Sequence, residues 1–121
     1  MLRLPASVRV FLCLDPTDMR RSFDGLCATV LNVLGDDPLS GHLFVFRNRA
    51  GDRIKVLYWD RDGLVILYKR LERGTFRFPV DADDVAGSSR LEVPMRDFAM
   101  ILEGFDLKEV RKRRRHGNRV A

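Results

Sequence analysis

The stretch RIKVLYWDRDGLVILYKR, residues 53–70, decides the fold, because apolar and polar side chains alternate through it on both sides of a turn. A period of two is the pattern of a β-strand. It places Ile54, Val56 and Tyr58 on one face of the first strand, and the other face receives Arg53, Lys55, Leu57 and Trp59. The turn-forming residues 60–63 join the two halves, so the stretch predicts an antiparallel hairpin.

Further strands are predicted on both sides of this hairpin. Apolar runs from His42 to Arg47 and from Thr75 to Phe78 flank it across short, turn-rich connections, and Val8 to Leu14 adds an N-terminal strand. Alternation directs Phe76 and Phe78 inward. The pattern predicts an α+β domain built on an antiparallel meander of four to five strands.

Two helices are predicted around this sheet. Apolar residues recur at helical spacing over residues 18–34, in a stripe made of Met19, Phe23, Leu26, Cys27, Val30, Val33 and Leu34. This one long helix, capped by Asp15 or Thr17, is expected to cover one face of the sheet. Residues 94–104 predict a second, short C-terminal helix, and the acidic segment 80–90 is expected to be an exposed loop.

The chain ends in a basic run that carries its whole net charge. The chain has a net charge of +5, and residues 108–121 hold seven Lys or Arg against one Glu, which leaves −1 for the residues before them. With almost no apolar residues, this run cannot bury enough surface to order itself. We therefore divide the chain into a single α+β domain, residues 1–107, and a flexible, disordered basic tail, residues 108–121. Such tails bind nucleic acid or an acidic partner, although some only increase solubility. The candidate DNA-binding residues of the tail are Arg111, Lys112, Arg113, Arg114, Arg115 and Arg119.

A second basic candidate lies in the predicted sheet. Arg53, Lys55 and Arg77 occur among the aromatic residues Tyr58 and Tyr68. Basic and aromatic side chains on one sheet can bind a nucleic-acid backbone and stack on bases. The alternative is an exposed strand face whose charges only prevent aggregation.

Residues suited to catalysis are sparse. There are two histidines, no glycine-rich phosphate loop and no serine in a nucleophile elbow. Most aspartates fall in turns or near the predicted helix start, where local geometry accounts for them. We therefore expect no enzyme activity, no metal site and no cofactor. The sequence has no membrane span or secretory signal, and Cys13 and Cys27 are expected to be reduced thiols, which predicts a cytoplasmic or nucleoid-associated protein.

Several motifs occur together in one order. The run Pro16 to Leu26, PTDMRRSFDGL, is followed by matching segments at residues 37–49 and 52–76, and by Leu102 to Asp106. Together these segments resemble TnpB, the accessory protein family of insertion sequence 66-type bacterial transposable elements. The resemblance implies a small protein that assists a separately encoded, larger transposase and carries no catalytic acidic triad itself. The cognate transposase is the implied partner, and DNA is the partner expected for the tail.

The first motif has two interpretations. Its residues are Thr17, Asp18, Arg20, Phe23, Asp24 and Gly25. They could be structural, supplying a helix cap, a dipole partner and an Arg20–Asp24 ion pair. They could instead form a surface that contacts the transposase. As a member of the buried stripe, Phe23 is expected to cost about 3–5 kcal/mol on truncation to alanine.

Two other functions remain open at this point. One is a stand-alone DNA-binding regulatory protein. The other is a small metal-dependent nuclease, which the scarcity of histidine and the turn positions of the aspartates disfavour. The sequence predicts neither the oligomeric state nor a DNA sequence preference.

Overall fold

The computed structural model describes residues 6–80 and 88–104, and it contains one five-stranded sheet between two helical elements. The strands are β1 (Val10–Cys13), β2 (Leu43–Arg47), β3 (Arg53–Asp60), β4 (Gly63–Arg70) and β5 (Arg90–Val93). The helices are α1 (Phe23–Thr29), which continues as a π-helical segment (Val30–Leu34), and α2 (Met95–Leu102).

The strand order in the sheet is β4-β3-β2-β1-β5. The predicted hairpin is confirmed as β3 and β4, which pair along their whole length with Leu57 opposite Ile66. The prediction of an α+β fold is confirmed, but a purely antiparallel sheet was wrong, because β1 pairs with β2 in parallel. The physical reason is the connection: α1 carries the chain back across the sheet between β1 and β2, and a crossover of this kind joins parallel strands.

Both faces of the sheet are covered, each by one helical element. Leu26, Val30 and Leu34 pack on the face that carries Phe11, Phe44, Phe46 and Leu57. Phe98 and Ile101 of α2 pack on the opposite face, together with Phe76 and Phe78. Ile54, Val56 and Tyr58 lie on this second face, as their alternation predicted.

The first helix begins later than predicted and is shorter. It starts at Phe23 rather than near Asp18, and α1 has seven residues before a π-helical segment of five. Neither Asp15 nor Thr17 caps it; Ser22 occupies the N-cap position without a side-chain hydrogen bond. The helix cannot begin earlier because the backbone carbonyls of Met19 and Arg21 both accept hydrogen bonds from the Lys55 ammonium of β3.

Two further expectations for the C-terminal half need correction. Residues 75–78 do not form a strand, although Phe76 and Phe78 are buried as predicted. The predicted loop 80–90 ends in β5, whose Leu91 pairs with Leu12 in antiparallel register. Residues 81–87 lie outside the described residues. The second helix is confirmed, with Pro94 at its N-cap.

Both cysteines are free thiols, as expected. Cys13 is buried in β1, where burial raises the pKa of its thiol. A buried thiol held in the protonated form is a poor nucleophile, so Cys13 acts as a core side chain.

Candidate functional site

The motif segment, residues 16–25, is fixed to the sheet by its backbone. Lys55 is only 7% exposed, and its Nζ donates to the carbonyl oxygens of Met19 and Arg21, each at 2.7 Å. The Thr17 amide donates to the carbonyl oxygen of Arg47 at 2.9 Å. A buried ammonium that satisfies two carbonyl groups holds a loop more firmly than a surface contact, because leaving those groups unpaired in a dry site is costly.

Some motif residues face inward and serve this packing. Thr17 is buried. A β-carbon added at Gly25 would lie 3.2 Å from the Cβ of Arg21, so this position has little room for a side chain. The Arg21 guanidinium donates to the Thr29 hydroxyl at 2.8 Å, and that hydroxyl donates to the Gly25 carbonyl at 3.0 Å. These residues therefore support the structural interpretation of the motif, and the close approach inferred at Gly25 is to the Arg21 side chain.

The other motif residues face outward. Arg20 does not pair with Asp24 as predicted; its Nη2 lies 2.7 Å from Oδ2 of Asp18, and its side chain is 91% exposed. Asp24 is exposed as well. Phe23 is 43% exposed, which corrects its assignment to the buried stripe. The fold therefore does not account for the outward half of the motif, which we call the outer motif surface: Asp18, Arg20, Phe23 and Asp24.

The Asp18–Arg20 pair predicts a specific titration. The hydrogen bonds from Arg20 lower the pKa of the Asp18 carboxyl from 3.8 to about 2. Because the pKa in the folded protein is depressed, the pair stabilises the fold above pH 4 or so and loses this contribution as the pH falls toward 2. We expect carboxyl-detected NMR to give a midpoint near 2 for Asp18, and the substitution Arg20→Ala to return it toward the ordinary value. An unchanged midpoint in the variant would contradict this pairing.

The three residues of the sheet candidate are not equivalent in the structure. Lys55 is buried and bound to the motif segment, so it does not belong to an exposed basic face. Arg53 is partly exposed, and its Nη1 donates to the Tyr68 hydroxyl at 3.0 Å. Arg77 is exposed but leaves the sheet region and lines a cleft with Arg47. The patch predicted from alternation is therefore replaced by a different grouping of arginines.

Two neighbouring clefts collect arginines from separate parts of the chain. The loop cleft lies between the β2–β3 turn and residues 75–80, and it is lined by Arg47, Arg49 and Arg77. The motif cleft lies between the same turn and the motif segment, and it is lined by Arg21, Arg49 and Arg53. Sequence reasoning missed Arg49 and Arg21 as candidates. The turn sequence Asn48 to Gly51 was visible, but nothing in it indicated which segments the fold brings beside it.

The residues of this structure can be compared with known families. A profile described as "IS66 Orf2 like protein" matches residues 8–112, which includes the motif segment, all five strands and both helices. The chain belongs to the IS66 Orf2-like family. This confirms the resemblance derived from the motifs and supports an accessory role associated with transposition.

Relatives of this IS66 Orf2-like chain include two proteins of Sinorhizobium fredii (strain NBRC 101917 / NGR234). One, described as uncharacterized protein y4jC, is 34% identical over 106 residues, covering 88% of this chain and 86% of the relative. The other, described as uncharacterized protein y4hO, is 37% identical over 106 residues, covering 88% of each chain. No solved structure matches the chain. The similarity to both relatives extends over most of each protein, so the fold described here applies to the whole matched region.

The candidate DNA-binding residues of the tail, Arg111, Lys112, Arg113, Arg114, Arg115 and Arg119, lie outside the described residues. The IS66 Orf2-like profile ends at residue 112, within this basic run. Most of the tail therefore has no counterpart in the family match. Its role is inferred from its charge.

The IS66 Orf2-like family is not a known enzyme family. Within residues 6–80 and 88–104, no group of three or more His, Cys, Asp or Glu side chains is arranged to hold a metal ion. In the same part of the chain, neither helix is long and apolar enough to cross a membrane.

Proposed function

We propose that the protein assists transposition by contacting the separately encoded transposase through the outer motif surface, while its basic tail binds DNA. Family membership supports the accessory role in transposition. The contact with the transposase and the contact with DNA are the parts that this proposal adds. It further holds that the protein performs no catalysis of its own.

The exposure of Phe23 is the observation that carries the transposase contact. Its side chain is 43% exposed beside Arg20, and the Lys55 anchor fixes the backbone from which both project. Aromatic and arginine side chains contribute most of the binding energy in many protein interfaces, particularly when they are presented by a rigid backbone. A phenylalanine kept in solvent on such a segment is favourable once a partner covers it.

The charge distribution supports the DNA contact. Residues 108–121 carry +6, and the preceding 107 residues carry −1. A tail of this charge binds phosphates by releasing counterions and does so without reading bases. The protein could then hold the transposase and DNA together without strong DNA affinity in its folded domain.

A pull-down with the neighbouring transposase tests the first contact. We expect Phe23→Ala and Arg20→Ala to fold normally and to lower the captured transposase at least tenfold, because both remove an exposed contact and leave the core unchanged. Leu39→Ala is the matched control, since Leu39 is an apolar side chain of similar exposure (50%) outside the motif. The capture should survive nuclease treatment.

The control arms separate the alternatives. Equal capture by all three variants would show that the outer motif surface is not the interface. Capture that disappears with nuclease would mean that DNA alone bridges the two proteins. DNA binding with no transposase capture under any condition would favour the stand-alone regulator.

A further inference from the structure

The two arginine-lined clefts meet at one turn. Their volumes are about 450 Å³ for the loop cleft and 560 Å³ for the motif cleft, and Arg49 and Ala50 line both. Five arginines contribute to the pair: Arg21, Arg47, Arg49, Arg53 and Arg77. This concentration of positive charge lies in a domain whose overall charge is close to neutral, so the field there differs from that of the surrounding surface.

The turn that carries Arg49 is rigidly held. The Gly51 amide donates to the Asn48 carbonyl at 3.0 Å, and the Asn48 side chain bonds both the Asp52 carboxylate at 2.7 Å and the Arg53 amide at 3.0 Å. Gly51 has a φ of +80°, which a side chain would disfavour, and its carbonyl accepts the Phe76 amide at 2.7 Å. The turn is thus locked to the wall of the loop cleft, and Arg49 projects from a defined position.

The guanidinium groups differ in how far they are already engaged. Arg47 is half-buried, and it donates to the Phe76 carbonyl at 2.9 Å while stacking over Phe78 at 4.1 Å, so it forms a wall. Arg49 is exposed, and its side chain makes no hydrogen bond or ion pair within residues 6–80 and 88–104. Arg49 therefore has all its donors available on the ridge between the clefts.

Negative charge near the clefts is already neutralised. Asp18 is the single acidic residue among those lining either cleft. Its carboxylate is held by Arg20 at 2.7 Å, which keeps it from competing for the cleft arginines. An anion entering the clefts meets guanidinium donors and little repulsion.

We infer that the paired clefts bind the sugar-phosphate backbone of a DNA strand, with Arg49 placed between two successive phosphates. Arg21 and Arg53 are on the side of one phosphate, and Arg77 is on the side of the other. The planar, five-donor guanidinium matches phosphate oxygens in pairs, so arginine suits this ligand better than lysine. No aromatic side chain except the buried Phe76 and Phe78 lines the clefts within the described residues, so the contact would not involve base stacking. This inference rests on the proposed DNA contact and adds a second site, on the folded domain, to the tail.

Amide NMR of the full-length protein tests the site locally. Titration with a short oligothymidylate should move the amide signals of residues 49–51 and the Arg49 Nε signal. Arg49→Ala should weaken the affinity reported by Ala50 and Gly51 about tenfold, as expected for loss of a charged hydrogen-bond donor. Arg96→Ala is the matched control, because it removes one positive charge from an exposed side chain on α2, and it should change that affinity less than twofold. On duplex DNA, Arg49→Ala should also reduce the salt slope by about one.

Each outcome decides the inference. Signal changes confined to the tail would overturn the cleft site while leaving the proposed DNA contact in place. No change in either region would overturn both. Equal weakening by Arg49→Ala and Arg96→Ala would indicate general charge attraction and overturn the site. Inorganic phosphate binding at residues 49–51 as tightly as the oligonucleotide would overturn the assignment to a DNA backbone, because a strand with two phosphates should bind more tightly than one ion.

Discussion

Deleting residues 108–121 is expected to remove most of the affinity for duplex DNA, because it removes +6 of charge and leaves a domain at −1. If about five tail side chains neutralise phosphates, the log–log slope of affinity against salt should be roughly −4 to −5 for the full-length protein. Between 50 and 200 mM salt, that slope corresponds to a loss of affinity of roughly 500-fold. The truncated protein should keep at most the shallow slope that the clefts provide.

A salt titration of both proteins on the same duplex measures this effect. Replacing the tail arginines with glutamine is the matched control, since it removes charge without shortening the chain, and it should reproduce the deletion. Because the tail reads backbone charge, affinity should fall uniformly on duplexes of different sequence. If the truncated protein keeps both affinity and slope, the tail is not the DNA-binding element.

Phe44→Ala is expected to destabilise the domain by about 3–5 kcal/mol, the usual cost of removing a core aromatic. The Phe44 side chain is fully buried in the centre of the sheet. Its ring stacks on Phe11 of the parallel neighbour β1, with centroids 5.9 Å apart. The substitution would therefore leave a cavity between α1 and the sheet that surrounding residues cannot fill without moving β1.

Chemical denaturation provides the measurement, and Phe23→Ala provides the comparison. With 43% of its side chain exposed, Phe23 should cost less than about 1 kcal/mol, which replaces the larger loss expected from the helical stripe. A loss for Phe23→Ala that equals the loss for Phe44→Ala would mean that the start of α1 is buried against the sheet after all.

The local pattern predicted those parts of the fold that depend on neighbouring residues. Alternation over residues 53–70 predicted the β3–β4 hairpin and the faces of its side chains, because strand faces follow from sequence parity alone. It did not predict β5, since Arg90-Leu91-Glu92-Val93 is a short run whose partner, β1, is distant in the chain. The direction of β1 also depends on a crossover, which periodicity does not reveal.

The candidate site was harder to predict for the same physical reason. The start of α1 is set by Lys55, a residue more than thirty positions away, which takes the carbonyls that an earlier helical turn would use. Before that contact is known, Phe23 reads as a core residue. The arginine clefts likewise join three chain segments whose proximity is a property of the sheet topology, and only their individual charges are visible in the sequence.

The place of β1 in the sheet has a consequence for how the protein is synthesised. β1 emerges first from the ribosome, yet its outer neighbour β5 emerges near the end, and the Arg9–Glu92 contact between them spans 83 positions. Until then, β1 offers an unpaired edge made of Val10, Phe11, Leu12 and Cys13, all of which are buried in the finished protein. Unpaired apolar edges recruit other chains, and partly made proteins aggregate through them. A message cut short before codon 90 would therefore yield an aggregating fragment, even though it encodes four of the five strands.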